Sequence, residues 1–170
     1  MAFGLLHGFL VERVYEFLPR WIARRIVPTD VLAQEVRIGL RPNIPVEVQF
    51  GTTVPYLGIC LRLTNLSLAN VKLDRLVYDV WFGQPTVKAS HVEPCKIAWR
   101  SSEDILLREN LNADQRQQIQ SQAKGEVIEL VTINMTAYFE SKGGPFEVRE
   151  RIEHRDIVCR GIAVKPEGQT

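Results

Sequence analysis

The sequence predicts a mainly β protein, an antiparallel sandwich of two sheets, with an amphipathic N-terminal α-helix in front and one short internal helix. Three observations carry this expectation. Residues 3–27 repeat large apolar side chains at helical spacing. After Pro28 the period changes to two, and Pro28, Pro42, Pro45 and Pro55 punctuate short extended pieces. Inside that region only one stretch reads as helix, so the crossover helices of a parallel α/β sheet are missing. The organisation expected is an amphipathic helix over 1–27, a sandwich over 28–164 and a loose tail over 165–170.

Composition agrees with one globular domain. The 170 residues carry 21 Lys plus Arg against 20 Asp plus Glu, a net charge of +1, and 45% are apolar. Chains near 150 residues bury roughly 68–70% of their unfolded surface, so neither disulfides nor metal are needed for a core. Disordered and collagen-like classes are excluded. Near-neutrality gives no expectation of nucleic acid as a partner, because such binders carry a basic face. Cys60, Cys95 and Cys159 are an odd number set far apart, which points to reduced thiols in an intracellular, cytoplasmic setting.

The N-terminal segment comes first in the chain. Glu12, Arg13, Glu16, Arg20, Arg24 and Arg25 interrupt it, so no run approaches the ~20 apolar residues of a spanning helix. No basic residue precedes the apolar stretch and no small-residue cleavage site follows it, unlike a secretory signal. At 100° per residue, Phe3, Leu6, Leu10, Val14, Phe17, Leu18, Trp21 and Ile22 gather on one side, with Val11 and Ile26 widening the stripe. Glu12, Glu16, Arg13, Arg20 and Arg24 lie opposite. Pro19 should bend the helix, since it lacks an amide donor and its ring clashes with the preceding turn. Two readings of the stripe stand side by side. It packs on the body or on a partner subunit, or it lies in a membrane interface with Tyr15, Phe17 and Trp21 at headgroup depth and Arg20, Arg24 and Arg25 on anionic lipid.

Strands follow. Leu32 to Leu40 and Val46 to Phe50 read as the first two. Leu57, Ile59, Leu61 and Leu63 then alternate with Tyr56, Gly58, Cys60, Arg62 and Thr64, the clearest strand in the chain. A polar turn over Asn65 to Asn70 leads to Leu76, Tyr78, Val80 and Phe82, alternating with Val77, Asp79 and Trp81. Lys88 to Val92, Ile97 to Trp99 and Ile105 to Leu111 are shorter candidates. Asn112 can cap a helix over Ala113 to Ala123, because its side-chain oxygen accepts free amides of the first turn. Val127 to Phe139 places Val131, Ile133, Met135, Ala137 and Phe139 on one face. A Ser141–Pro145 turn leads into Phe146, Val148 and Ile152, interleaved with Glu147, Arg149, Arg151 and Glu153, charges expected to pair across strands on a wet face. Seven to nine such strands suggest an immunoglobulin- or fibronectin-like sandwich.

The order from Val46 to Ile157 resembles the late-embryogenesis-abundant group 2 domain, also called the water-stress and hypersensitive-response domain. The resemblance rests on the strand entering an Asn turn, Leu61-Arg62-Leu63-Thr64-Asn65-Leu66-Ser67, the long strand Leu73 to Phe82, the central helix and the last hairpin, Val127 to Ile152. It covers about two-thirds of the chain. Where the family often has Asn-Pro-Asn, this chain has Leu66 after Asn65. The resemblance implies a non-enzymatic protein with a stress-protective or membrane-associated role.

Reactive constellations are missing from the sequence. His7, His91 and His154 have no Gly-x-Ser-x-Gly elbow to serve. His91 and Cys95 could share a zinc ion on a helix, but Pro94 intervenes and no second ligand pair follows. Glu150, Glu153, His154 and Asp156 are interleaved with Arg149, Arg151 and Arg155, which favours ion pairing over a cation. Gly143-Gly144 lacks the lysine and helix of a phosphate loop. Asn65-Leu66-Ser67 and Asn134-Met135-Thr136 match the glycosylation pattern by chance, and Trp81 and Trp99 read as core or sheet-face residues. The expectation is therefore a protein with no catalytic or metal residues and no cofactor. It is a binding or stress-protective module docked to a membrane surface or protein partner through residues 3–27, or a homo-oligomer assembled through the same helix.

Overall fold

The structure, a computed structural model, describes residues 14–43, 46–123 and 126–161. Phe3, Leu6 and Leu10 of the expected stripe, His7 and the expected tail lie outside them. Residues 14–17 are helical, followed by helix α1 (Arg20–Ile26) and helix α2 (Thr29–Glu35). The strands are β1 (Val36–Leu40), β2 (Glu47–Gln49), β3 (Tyr56–Asn65), β4 (Val71–Phe82), β5 (Gln84–His91), β6 (Cys95–Ile97) and β7 (Ser101–Asn110). Helix α3 (Ala113–Gln122) precedes the long hairpin β8 (Val127–Ser141) and β9 (Gly144–Arg160).

Two prolines explain why the N-terminal helix is broken where one bent helix was expected. A residue before proline is disfavoured in the helical region, so the turns stop at Leu18 and Val27. Pro19 and Pro28 then stand at the N-caps of α1 and α2 with φ of −57° and −61°. Leu32 to Leu40, expected as one strand, is helix up to Glu35 and strand from Val36. Pro28 starts the helix, and the Pro28 carbonyl accepts the Leu32 amide at 3.1 Å.

The protein is mainly β, and its strands form one curled, mixed sheet. Strand β3 pairs antiparallel with β7 along one edge and with β1 and β2 along the other, while β9, β8 and β4 follow in order with β5 and β6 beyond β4. The expected all-antiparallel pairing fails at one seam. Glu47–Gln49 runs parallel to Val158–Arg160 and joins the two halves of the sheet. Beyond the seam Gly161, at φ +75°, lies so close to Gly51 that an added Cβ would stand 2.3 Å from the Gly51 nitrogen.

Alternation holds in the long strands. Leu57, Ile59, Leu61 and Leu63 of β3, Leu76, Tyr78, Val80 and Phe82 of β4, and Val131, Ile133, Met135, Ala137 and Phe139 of β8 all point into one buried core. On β8 the period slips at Glu129–Leu130, so Ile128 is buried although alternation placed it outside. Helix α3 is closed by a capping box. Asn112 accepts the Gln115 amide at 2.8 Å, the Gln115 side chain accepts the Asn112 amide at 3.0 Å, and Ile119 is buried.

Candidate functional site

The N-terminal segment rests on the tip of the β8–β9 hairpin. Lys142 Nζ donates to the Glu16 carbonyl, and Asn70 Nδ2 donates to Glu16 Oε1 at 3.1 Å. At the hairpin tip Gly143 lets the backbone of α1 approach, since a Cβ there would lie 3.2 Å from the Val27 carbonyl and 3.5 Å from the Arg24 Cα. Tyr15, Ala23 and Val27 are buried in the core, and Leu18 packs against it.

This contact divides the expected stripe. Leu18 and Ile22 are half-buried, whereas Val14, Phe17 and Trp21 face outward, Phe17 at 85% exposure and Trp21 at 70%. Arg20, Arg24 and Arg25 are exposed on the same short stretch, with Ile26. Tyr15, expected at headgroup depth with the other aromatics, is instead inside. Its hydroxyl meets no hydrogen-bond partner among the described residues, and burial, then the Glu16 charge, raises its pKa.

At the same end of the molecule the Asn65 turn is built from the inside. Asn65 Nδ2 donates to the carbonyls of Ala69 (2.8 Å) and Ala98 (3.1 Å), and Oδ1 accepts from the Ser67 amide (3.1 Å) and hydroxyl (2.7 Å). Both side chains are buried. That burial leaves the Asn65 nitrogen no room for a glycan, and its motif serves structure.

The rest of the surface is mixed, with Leu106, Val92, Val54, Trp81 and Leu130 exposed among polar and charged side chains. A cleft of about 560 Å³ beneath Glu16 is lined by Lys72, Lys96 and Lys142 and by Glu16, Glu103 and Glu140, so it favours neither sign of ligand. On the outer face of β4, β8 and β9 a shallow groove of about 480 Å³ runs past Trp81, Leu130, Thr132, Asn134 and Arg151. Among the described residues, Arg149 pairs with Glu147 at 2.7 Å and Arg151 with Glu153 at 2.9 Å, both along β9 itself where pairs across strands were expected, and all four are exposed. On the opposite half, Asp104 accepts from Arg62 at 2.8 and 3.1 Å and from Arg41 at 2.9 Å. The Arg62 hydrogen bond holds the Asp104 carboxyl below its ordinary value.

Among the described residues no group of three or more His, Cys, Asp or Glu converges as a metal site. His91 ends β5 and His154 lies on β9, separated by β4 and β8. Cys60 and Cys159 are buried and Cys95 half-buried, all as free thiols. Burial pushes the Cys159 thiol up to about 11, which keeps it from the reactive thiolate form. No described helix is long and apolar enough to cross a membrane.

Comparison with known proteins informs the fold. No family model matches the chain, and no curated protein matches it. Among solved structures it is similar to a structural genomics target, SoR45, at 10% identity and a TM-score of 0.51, with 80% of this chain and 95% of that one covered. A putative ApaA protein from Bordetella pertussis follows at 11% identity and a TM-score of 0.49, covering 74% and 95%. A protein from Archaeoglobus fulgidus gives 11% and 0.42, covering 71% and 94%. The first of these shows a shared mainly β fold.

Proposed function

We propose that this is a non-catalytic, peripheral membrane-docking module. Its β-rich body carries the N-terminal segment, and the outward edge of that segment meets an anionic lipid surface. One observation carries the reading. Phe17 and Trp21 stand in water beside Arg20, Arg24 and Arg25, while the opposite side of the same segment is fixed by Tyr15, Ala23, Val27 and the Lys142–Glu16 contact. An amphipathic element lying in an interface has this arrangement, aromatic side chains at headgroup depth and arginines on anionic headgroups. We read the two halves of the sheet as the layers of an immunoglobulin- or fibronectin-like sandwich, which supplies a rigid base. The stress-protective role implied by the resemblance to the group 2 domain belongs to the same reading.

Co-sedimentation of the full chain with vesicles of phosphatidylcholine, with and without phosphatidylserine, tests it. Binding should need the anionic lipid, weaken with salt and be lost in F17S/W21S. Equal binding by that variant, or no binding by the natural chain, overturns the reading. Light scattering that shows a dimer split by F17S/W21S would instead assign the face to a second copy.

A further inference from the structure

In the turn after β3, exposure runs opposite to polarity. Asn65 and Ser67 are 0% exposed, whereas Leu66 and Leu68 are 49% and 45% exposed. The cause lies in the hydrogen bonds already described. Because Asn65 and Ser67 turn inward to satisfy the Ala69, Ala98 and Ser67 backbone groups, the alternating residues must turn outward. The two that do so are leucines. A scattered exposed leucine is ordinary, but paired leucines beside buried polar groups invert the rule that water imposes on a turn.

Position gives the turn its partner. Asn70, two residues past Leu68, donates to the carboxylate of Glu16, the residue before Phe17, and the Leu66 amide donates to the carbonyl of Glu35 at the end of α2. The turn therefore sits at the end of the molecule that holds the N-terminal segment. Arg100 lies there too, exposed and 5.7 Å from the Trp99 ring, whose own backbone amide donates to Asn70 Oδ1. The turn thus pairs exposed apolar side chains with an exposed arginine, as the Phe17 edge does, with the Glu16 carboxylate between the two.

We infer that the Leu66–Leu68 turn is a second contact of the same docking surface, placing two leucines into the interface of an anionic bilayer alongside the N-terminal segment. This inference rests on the membrane-docking reading. A segment and a turn tied together through Asn70 and Glu16 would enter the interface as one unit, so their contributions would add at a fixed geometry.

The test uses the full chain, phosphatidylcholine vesicles with phosphatidylserine, and two variants, L66S/L68S and F17S/W21S. The expected result is a roughly tenfold weaker binding by L66S/L68S, since both side chains lose the transfer of their exposed half from water. The thermal midpoint should fall only slightly, because about half of each leucine already faces water, and binding is compared at a temperature where both variants are folded. Unchanged binding by L66S/L68S with loss in F17S/W21S overturns the second contact and leaves the docking reading intact. Failure of the natural chain to bind overturns both. A dimer by light scattering that L66S/L68S converts to monomer assigns the turn to a second copy and overturns the lipid contact.

Discussion

Tyr78 Oη donates a hydrogen bond to Glu109 Oε1 at 2.8 Å, linking β4 to β7 across the two halves of the sheet. The tyrosine is 1% exposed, so its ring contributes to the core while its hydroxyl reaches the Glu109 carboxylate. Y78F should cost about 1.5–3 kcal/mol in urea unfolding, the range for a bond to a charged acceptor. Burial first, and the Glu109 bond second, raise the Tyr78 pKa far above its ordinary value. The sign follows: this contribution is complete below about pH 10 and is lost as the pH rises above it. Y78F should therefore unfold at a higher pH in alkali than its neutral-pH stability suggests.

Asn65 makes its hydrogen bonds to two separate stretches of backbone. N65A would leave the buried Ser67 amide without its acceptor, whereas the Ala98 carbonyl keeps Ser101 and the Ala69 carbonyl keeps the Ser67 hydroxyl, and it should cost about 1–3 kcal/mol. Asn65→Asp should be no better, because a carboxylate cannot donate to Ala69 and Ala98. Urea denaturation of both variants measures this, and a loss under about 1 kcal/mol would show that the turn holds by packing alone.

Asp104 ties Arg41 and Arg62 together on the outer face of the β1–β3–β7 half. Its folded pKa lies below the ordinary carboxylate value, so the stability it adds is present above about pH 4 and disappears as the pH falls through the folded value. D104N should be less stable than the natural chain at neutral pH, and the difference should close on acidification. Denaturant midpoints measured across that range give the comparison, and a gap that stays constant with pH would exclude the ionised carboxylate as its source.

Tyr15 has a buried hydroxyl with no described partner. Removing an unsatisfied polar atom while keeping the ring should be neutral or stabilising by up to about 1 kcal/mol. Y15F should leave vesicle binding unchanged, because the ring and not the hydroxyl anchors the segment. Thermal unfolding and co-sedimentation together check both halves of that statement.

Strands β3, β4 and β8 were legible because each has one face in the core, and burial on one face writes a period of two into the sequence. Thr29–Glu35 was not legible as helix. Seven residues hold fewer than two turns, too short for periodicity to separate a helix from a strand, and the neighbouring prolines favoured the extended reading. The parallel seam was hidden for another reason: alternation tells which face a residue takes and is silent about which strand lies beside it. At the candidate site the apolar stripe was visible, but which of its edges docks was not. That choice is made by Gly143 and Lys142, more than a hundred residues away, and by Tyr15, Ala23 and Val27, which the helical projection did not single out. The inverted turn was read as polar because three of its six residues are Asn or Ser, and only the hydrogen bonds show that Asn65 and Ser67 face inward.

The three-residue pairing of β2 with the end of β9 has a temporal meaning. Glu47 meets Val158, so the curl cannot close until nearly all of the chain has been synthesised. The support for the N-terminal segment is equally late, since Lys142 and Gly143 belong to the last hairpin. During synthesis Phe17 and Trp21 therefore emerge long before the base that orients them. In the cell the nascent chain would carry an adhesive end without its scaffold, and early engagement of that end by a surface or a chaperone would precede completion of the body.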